Sequence, residues 1–293
     1  MQLHHCLVVS KQTALAQGGR AAQLAQQGDA TARRLIRADA EHRRTIATVR
    51  QALTQRHIPF SEASLSKLNA KLKRQLASAD LVITIGGDGT LLGASHYVRH
   101  GLLLGVNSAP GDSVGHFCSV TRADFATRLD ALLTSHWQPV ALTRLAVALD
   151  EQPLPELALN DVLLTHACPA ATTRYLIKFG PREEEHRSSG IWVATAAGST
   201  AGIRSAGGRV LPLRSERLQY LVRELYREVH RGRARDYQLV RGFIAPAESL
   251  TIASKMPDGW LYLDGARTAY RFPFGARATI RAAETKLKLL LKG

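Results

Sequence analysis

Cysteine is scarce in this chain: Cys6, Cys118 and Cys168 are an odd number at unrelated spacings. They fit a reducing, cytoplasmic setting better than a disulfide framework. No pair of them has zinc-site spacing, and within a strand His4, His5 and Cys6 would alternate between faces. No metal site built from protein ligands is therefore expected. Aromatic residues make up only 6% of the chain, and no C2H2, RRM or KH signature is present, so nucleic-acid binding is not expected. No apolar run approaches the roughly 20 residues that span a bilayer, and no membrane partner is expected. The first ten residues lack a basic segment and a small-residue cleavage site, and they read as a strand rather than a signal peptide.

Acidic residues are also in deficit, 24 against 39 basic ones, for a net charge of +15. Much of the excess is arginine at 20–56 and 204–241. Such a surface favours polyanionic partners, and nucleotides or polyphosphate satisfy it as well as nucleic acid does. A solvated basic face explains the charge equally well. With 293 residues and an apolar fraction of 45%, the chain can build two ordinary domains or one large one.

What is present is concentrated at Leu81-Val-Ile-Thr-Ile-Gly-Gly-Asp-Gly-Thr90. The apolar, β-branched run predicts a buried strand, and a helix is predicted from Leu91 to His100. Gly86, Gly87 and Gly89 let the backbone approach a ligand, and free N–H groups at the helix start make a phosphate cradle. Asp88 would be repelled by phosphate unless it faces a metal ion or takes a proton from an attacking hydroxyl. The competing reading is a tight turn in which Asp88 caps the helix.

Strands are predicted at 3–10, 81–86 and 102–106. Between the first two, helical spacing is found over 31–55 and again at Leu65, Leu68, Leu72 and Leu76. This alternation predicts a mostly parallel, Rossmann-like α/β sheet with ligands at the carboxyl ends of its strands. Thr121 to Asp124 resembles a capping box opening a helix that runs to about Ser135. Later segments at 140–150, 157–165, 173–180, 191–196, 238–244, 249–253, 260–264 and 278–281 read as strands, predicting a second, β-rich domain. The charged stretch 181–187 reads as a solvent loop. A helix is expected over 214–231, where Leu218, Leu221, Val222, Leu225 and Val229 share one face. The expected organisation is an α/β domain over 1–120, a β-rich domain over 121–275, and a tail over 276–293.

Three further segments carry chemistry. Gly105-Val-Asn107 places an amide near the sheet edge that holds Asp88. Asn160-Asp161 sets an amide beside a carboxylate, able to read an adenine or a ribose. The small-residue stretch Thr195 to Gly208 suits a flat ring packed against backbone. In this order the segments resemble the NAD kinase family. Its Gly-Gly-Asp-Gly-Thr matches 86–90 without change, and its Asn-Glu pair is similar to Asn160-Asp161. Its Thr-Pro-Thr-Gly-Ser-Thr-Ala-Tyr stretch resembles Thr195 to Gly202, its Ser-Ala-Gly-Gly matches 205–208, and its late Asp-Gly matches Asp264-Gly265.

The resemblance implies an NAD-kinase-like two-domain architecture with a cleft, in which 121–275 is the dinucleotide-binding domain and the tail 276–293 packs back on the first. It also implies transfer of the terminal phosphoryl of ATP, or of polyphosphate, to the adenosine-ribose 2′-hydroxyl of NAD+ or NADH. It implies Mg2+ with ATP, and a homo-oligomer, dimer or tetramer. Asp88 would be the catalytic group, and Gly86, Gly87, Gly89 and Thr90 would hold phosphates through backbone N–H groups. Asn107 would support that loop. Asn160, Asp161, Thr200, Ala201 and Ser205 would bind NAD. Several departures, namely the long Ser108 to Phe117 segment, Ser189 in place of an aspartate, and Gly202 in place of a nucleotide-packing tyrosine, resemble the divergent mitochondrial-type branch. A diacylglycerol-type lipid kinase and a non-catalytic dinucleotide sensor remain as alternatives.

Overall fold

The computed structural model describes residues 3–111, 115–230 and 233–292. Asp112, Ser113 and Val114, part of the divergent 108–117 segment, lie outside them. The chain forms two compact units, Met1–Ala141 with Leu287–Gly293, and Leu142–Lys286.

The first unit is built on a sheet in the order Phe60–Ser64, Cys6–Ser10, Leu81–Gly86, Leu102–Asn107, Leu287–Leu290, Val140–Leu142, with Val120–Thr121 beside Leu102–Asn107. Cys6–Ser10 pairs in parallel with Phe60–Ser64 and Leu81–Gly86, and Leu102–Asn107 in parallel with Leu81–Gly86 and Leu287–Leu290. Every residue of Leu81–Gly86 is buried, as a parallel strand covered on both faces requires. On one face Val8, Ile83, Ile85, Leu104 and Val106 pack with Val49 and Leu53 of the helix Ala30–Gln55, and with Phe125 and Leu129 of Phe125–Leu133. The helix Ala70–Ser78 starts at Asn69, whose side chain accepts the Leu72 N–H, and buries Leu72 and Leu76.

The second unit holds two six-stranded sheets. One runs Arg182–Ser188, Thr173–Phe179, Ser249–Ser254, Arg277–Ala282, Leu145–Leu149, Gln152–Pro153. The other runs Arg241–Ile244, Leu218–Arg223, Gly190–Ala194, Asp161–His166, Gly259–Leu263, Thr268–Arg271. Their strands alternate side chains into one shared apolar core that includes Val147, Ile177, Ile252 and Ile280 from the first sheet and Val162, Val193, Tyr220 and Leu261 from the second.

Three expectations are corrected. The helix expected over 214–231 is instead the strand Leu218–Arg223, antiparallel to Gly190–Ala194 and to Arg241–Ile244. Leu218, Tyr220 and Val222 point into the core at period two, and pairing on both sides decided between two periods that the sequence fits equally. The expected solvent loop at 181–187 is the strand Arg182–Ser188, in register with Thr173–Phe179. His186 and Ser188 face inward, and the Glu184 carboxylate accepts the N–H groups of Gln238 and Leu239. The capping box forms by half: Asp124 accepts the Thr121 N–H as the motif requires, but the Thr121 hydroxyl donates to the same carboxylate instead of accepting the Asp124 N–H, and the helix opens only at Phe125. That helix lies in the first unit, which continues past residue 120 to Ala141.

Candidate active site

The glycine turn joins the buried strand Leu81–Gly86 to the helix Asp88–Ser95, with Gly87 as its extended N-cap. The first turn is closed by Thr90 N–H donating to the Gly87 carbonyl at 2.9 Å. Thr90 thus spends its N–H inside the helix. The N–H groups of Gly87, Asp88 and Gly89 donate to nothing among the described residues, the pattern an anion site at a helix start needs. Gly86 is required by a close approach, since a Cβ there would stand 2.3 Å from the Thr90 hydroxyl. Its carbonyl accepts the Ser108 N–H at 3.0 Å.

The Asp88 carboxylate does not cap its own helix. Its Oδ1 accepts the N–H groups of Phe117 at 2.9 Å and Cys118 at 3.1 Å, and its Oδ2 accepts that of His116 at 2.8 Å. These bonds tie the segment after 114 to the glycine turn, while Oδ2, with one donor, keeps acceptor capacity for a hydroxyl. Asn107 pairs in register with Gly86 at the same sheet edge, is buried, and accepts the Ala109 N–H at 3.0 Å. Gly86, Gly87, Asp88, Gly89, Thr90 and Asn107 are therefore together in the first unit.

The second unit assembles its part around Asp264, a residue with φ of 50° just beyond the strand Gly259–Leu263. Its carboxylate accepts three consecutive N–H groups, those of Leu159 at 2.7 Å, Asn160 at 2.7 Å and Asp161 at 3.0 Å. Asp161 is buried, and burial followed by the nearby Asp264 charge pushes its pKa up to about 7. The Asn160 side-chain oxygen is buried with no hydrogen-bond partner among the described residues. An orphaned acceptor of this kind is costly unless a ligand donor reaches it.

The small-residue stretch is docked on the same segment. Thr195 N–H donates to the Asn160 carbonyl at 2.9 Å, and the Thr195 hydroxyl donates to that of Leu159 at 2.5 Å. Gly198 presses so close that a Cβ would lie 2.0 Å from the Asn160 carbonyl oxygen. Ala197–Thr200 then forms a short 3-10 turn and Gly202–Ser205 a single helical turn. Ala201 is half-buried, whereas Thr200 and Ser205 are exposed. A cavity of about 200 Å³ is lined by Asp161, Leu163, Trp192, Tyr262, Gly265 and Ala266. The glycine at 202 has a physical reason, because a Cβ there would meet the Trp192 ring at 3.0 Å. Trp192 and Asp264 were not among the predicted site residues; Asp264-Gly265 was visible as a motif, while nothing local marks Trp192. Among the described residues no group of three or more His, Cys, Asp or Glu could hold a metal ion.

Comparison with known proteins settles the family. Residues 40–137 match the family model described as ATP-NAD kinase N-terminal domain. A "Probable NADH kinase" of Oryza sativa subsp. japonica is 35% identical over 272 residues, covering 85% of this chain and 81% of that protein. The chain belongs to the NAD kinase family. An NADH kinase of Arabidopsis thaliana is 31% identical over 85% of this chain and 83% of its own length. In fold, the chain is similar to the crystal structure of an NAD kinase from Archaeoglobus fulgidus in complex with ATP, with a TM-score of 0.68, 18% identity and coverage of 98% of this chain and 93% of that one. It is likewise similar to yeast NADH kinase complexed with NADH, with a TM-score of 0.69, 14% identity and coverage of 100% and 84%. Within the NAD kinase family, the α/β first unit and the antiparallel second unit are the expected architecture.

Proposed function

We propose that this chain is an NAD(H) kinase that transfers the terminal phosphoryl group of ATP, or of polyphosphate, to the adenosine-ribose 2′-hydroxyl of NAD+ or NADH. The observation that carries this reading is the glycine turn, where three unspent N–H groups lie beside a carboxylate at the carboxyl edge of a parallel sheet. The names of the two plant relatives, which match most of the chain, support the same reaction and its dinucleotide acceptor.

Phosphoryl transfer is catalysed mainly by positioning and charge neutralisation. Gly87, Asp88 and Gly89 would receive phosphate oxygens through their N–H groups, with Gly86 and Thr90 shaping the turn and Asn107 supporting it. Asp88 would accept the 2′-hydroxyl proton on Oδ2 as the new oxygen–phosphorus bond forms and the bond to ADP breaks. Asn160 would take a donor from adenine or ribose on its unpaired oxygen, beside Asp161, with Thr200, Ala201 and Ser205 along the same loop. Magnesium would arrive as MgATP, held chiefly by the donor's own phosphates. The reading further includes a dimer or tetramer and a cytoplasmic setting, consistent with three free cysteines; no helix among the described residues is long and apolar enough to cross a membrane.

The test is a paired assay with MgATP in which NAD+ and NADH are offered separately and NADP+ is resolved from NADPH. Product from either acceptor is expected. Asp88→Asn is expected to lose at least about a hundredfold in turnover, the scale of a lost general base. Near-normal turnover would remove Asp88 from that role. A folded protein that binds dinucleotide and yields no product would be a sensor, and product only from liposomes carrying diacylglycerol would make it a lipid kinase.

A further inference from the structure

The first unit's sheet has a topological switch point between Cys6–Ser10 and Leu81–Gly86. The neighbour of the first strand is Phe60–Ser64 on one side, and that of the second is Leu102–Asn107 on the other. Ligands of open parallel sheets collect in the crevice outside the carboxyl ends of such strands. One wall of this crevice is the glycine turn after Ile85. The other starts with Lys11, the first residue after Ser10.

The backbone of Lys11 is fixed from both sides. Its N–H donates to the Ile85 carbonyl at 3.2 Å, one residue before Gly86. Its carbonyl lies 3.1 Å from His42 Nε2. A carbonyl only accepts, so Nε2 carries the proton and Nδ1 is left to accept from the Ser108 hydroxyl at 2.9 Å. Burial, and next the Lys11 charge, hold the His42 pKa below its ordinary value, which agrees with a neutral ring. Ser108 in turn donates its N–H to the Gly86 carbonyl at 3.0 Å. The circuit Ile85, Lys11, His42, Ser108, Gly86 therefore closes on the glycine turn itself.

The Lys11 side chain is not used in that circuit. It lines a cavity of about 460 Å³ with Thr13, Asp39, His42 and Arg43. The carboxylate there, Asp39, is engaged by the Thr13 hydroxyl and the Arg43 guanidinium. Lys11 has no ion-pair partner among the described residues. Its charge also reaches the far side of the turn: burial and the adjacent Asp88 push the Cys118 thiol pKa up, and the Lys11 ammonium opposes both.

We propose that Lys11 is a phosphate-binding residue, its ammonium holding the polyphosphate chain of the donor against the glycine turn, with His42 as the residue that positions it. A compact ammonium suits this use, since it neutralises charge on whichever phosphate oxygen faces it. The catalytic consequence rests on the kinase reading above, whereas the binding does not.

The experiment is calorimetric titration of the full-length wild type, Lys11→Met and Lys11→Arg with ATP and, separately, with inorganic tripolyphosphate. Thermal melts confirm folding, and NADH titration is the reference. Lys11→Met is expected to weaken ATP and tripolyphosphate in parallel by about tenfold or more, on the scale of one lost charge-assisted contact. NADH affinity should stay unchanged, and Lys11→Arg should recover most of the loss. Unaltered ATP and tripolyphosphate binding in folded Lys11→Met overturns the proposal. So does a loss confined to ATP, which would place Lys11 on the nucleoside instead of the phosphates. A wild type that binds both anions in a Lys11-dependent way yet phosphorylates neither NAD+ nor NADH would sustain this inference while refuting the kinase reading.

Discussion

Asp161 shows how a single residue's environment sets a measurable property. Its backbone is drawn in by Asp264, whose carboxylate collects three N–H groups, and its own carboxyl is buried beside that charge. The folded-state pKa of about 7 stands above the ordinary 3.8. The protonated form is therefore the one the fold prefers. Below pH about 4 both folded and unfolded chains carry the proton, and Asp161 costs nothing. Between about 4 and 7 the unfolded chain loses its proton while the folded one retains it, so stability falls as pH rises. Each unit of that window is worth about 1.4 kcal/mol. Asp161→Asn cannot ionise and is expected to lack this loss. Thermal melts of both proteins from pH 4 to 8 should diverge upward through the window, with the variant gaining. Parallel curves would mean that Asp161 is ionised in the fold throughout.

At the scale of elements, the second unit's candidate site is a docking of one turn on one strand entrance. The turn Ala197–Thr200 reaches the Asn160 segment because position 198 has no side chain. Gly198→Ala would force Asn160 and Thr195 apart and break the bond of 2.9 Å between them. The expected result is a folded protein whose NADH affinity drops by about tenfold or more, the equivalent of about 1–3 kcal/mol of overpacking. Unchanged NADH titration would disconnect this turn from the acceptor. The sequence discloses such elements unevenly. Leu81–Gly86 and Leu102–Asn107 are legible as apolar runs closed by their own punctuation, and the glycine turn is legible because its residue types have few other uses. Leu218–Arg223 is not, since Leu218, Leu221 and Val222 fit helical spacing while Leu218, Tyr220 and Val222 fit extended spacing, and only the strands on either side choose. Arg182–Ser188 is hidden by its charges: Glu183, Glu185 and Arg187 fall on one side of the strand, and on the other Glu184 is taken up by the Gln238 and Leu239 N–H groups beside the inward His186 and Ser188. Lys11, His42 and Trp192 acquire meaning only from residues far away in sequence, Ser108 for His42 and Gly202 for Trp192. No local pattern could single them out.

For the whole molecule, the consequential feature is that one unit is made from both ends of the chain. Leu287–Leu290 enters the first unit's sheet in parallel with Leu102–Asn107 and stands between it and Val140–Leu142. Leu287, Leu289 and Leu290 are fully or almost fully buried. The return is fastened further along: the Trp137 indole N–H donates to the Leu291 carbonyl at 2.7 Å, Lys292 N–H donates to the Ser119 hydroxyl at 3.0 Å, and the Lys292 ammonium pairs with Asp124. The first half of the strand that carries Asn107, Leu102 to Leu104, therefore depends on the last residues of the chain for its second neighbour, while Val106 and Asn107 have Val120 and Thr121 beside them. Burial of a leucine contributes roughly 1.5–3 kcal/mol, so losing three of them removes an amount comparable with the whole stability of a domain, about 5–15 kcal/mol. Ending the chain at Lys286 is expected to leave the β-rich unit intact by limited proteolysis while the first unit becomes a substrate for cleavage near Leu102–Asn107. Kinase activity should be lost with it. Adding residues 287–293 back as a free peptide at high concentration should restore protection of that strand in proportion to peptide occupancy. A truncated protein that resists proteolysis as the full chain does would show that the sheet closes on Val140–Leu142 without its last strand, and that the two ends of the chain are not the joint foundation of the phosphate loop.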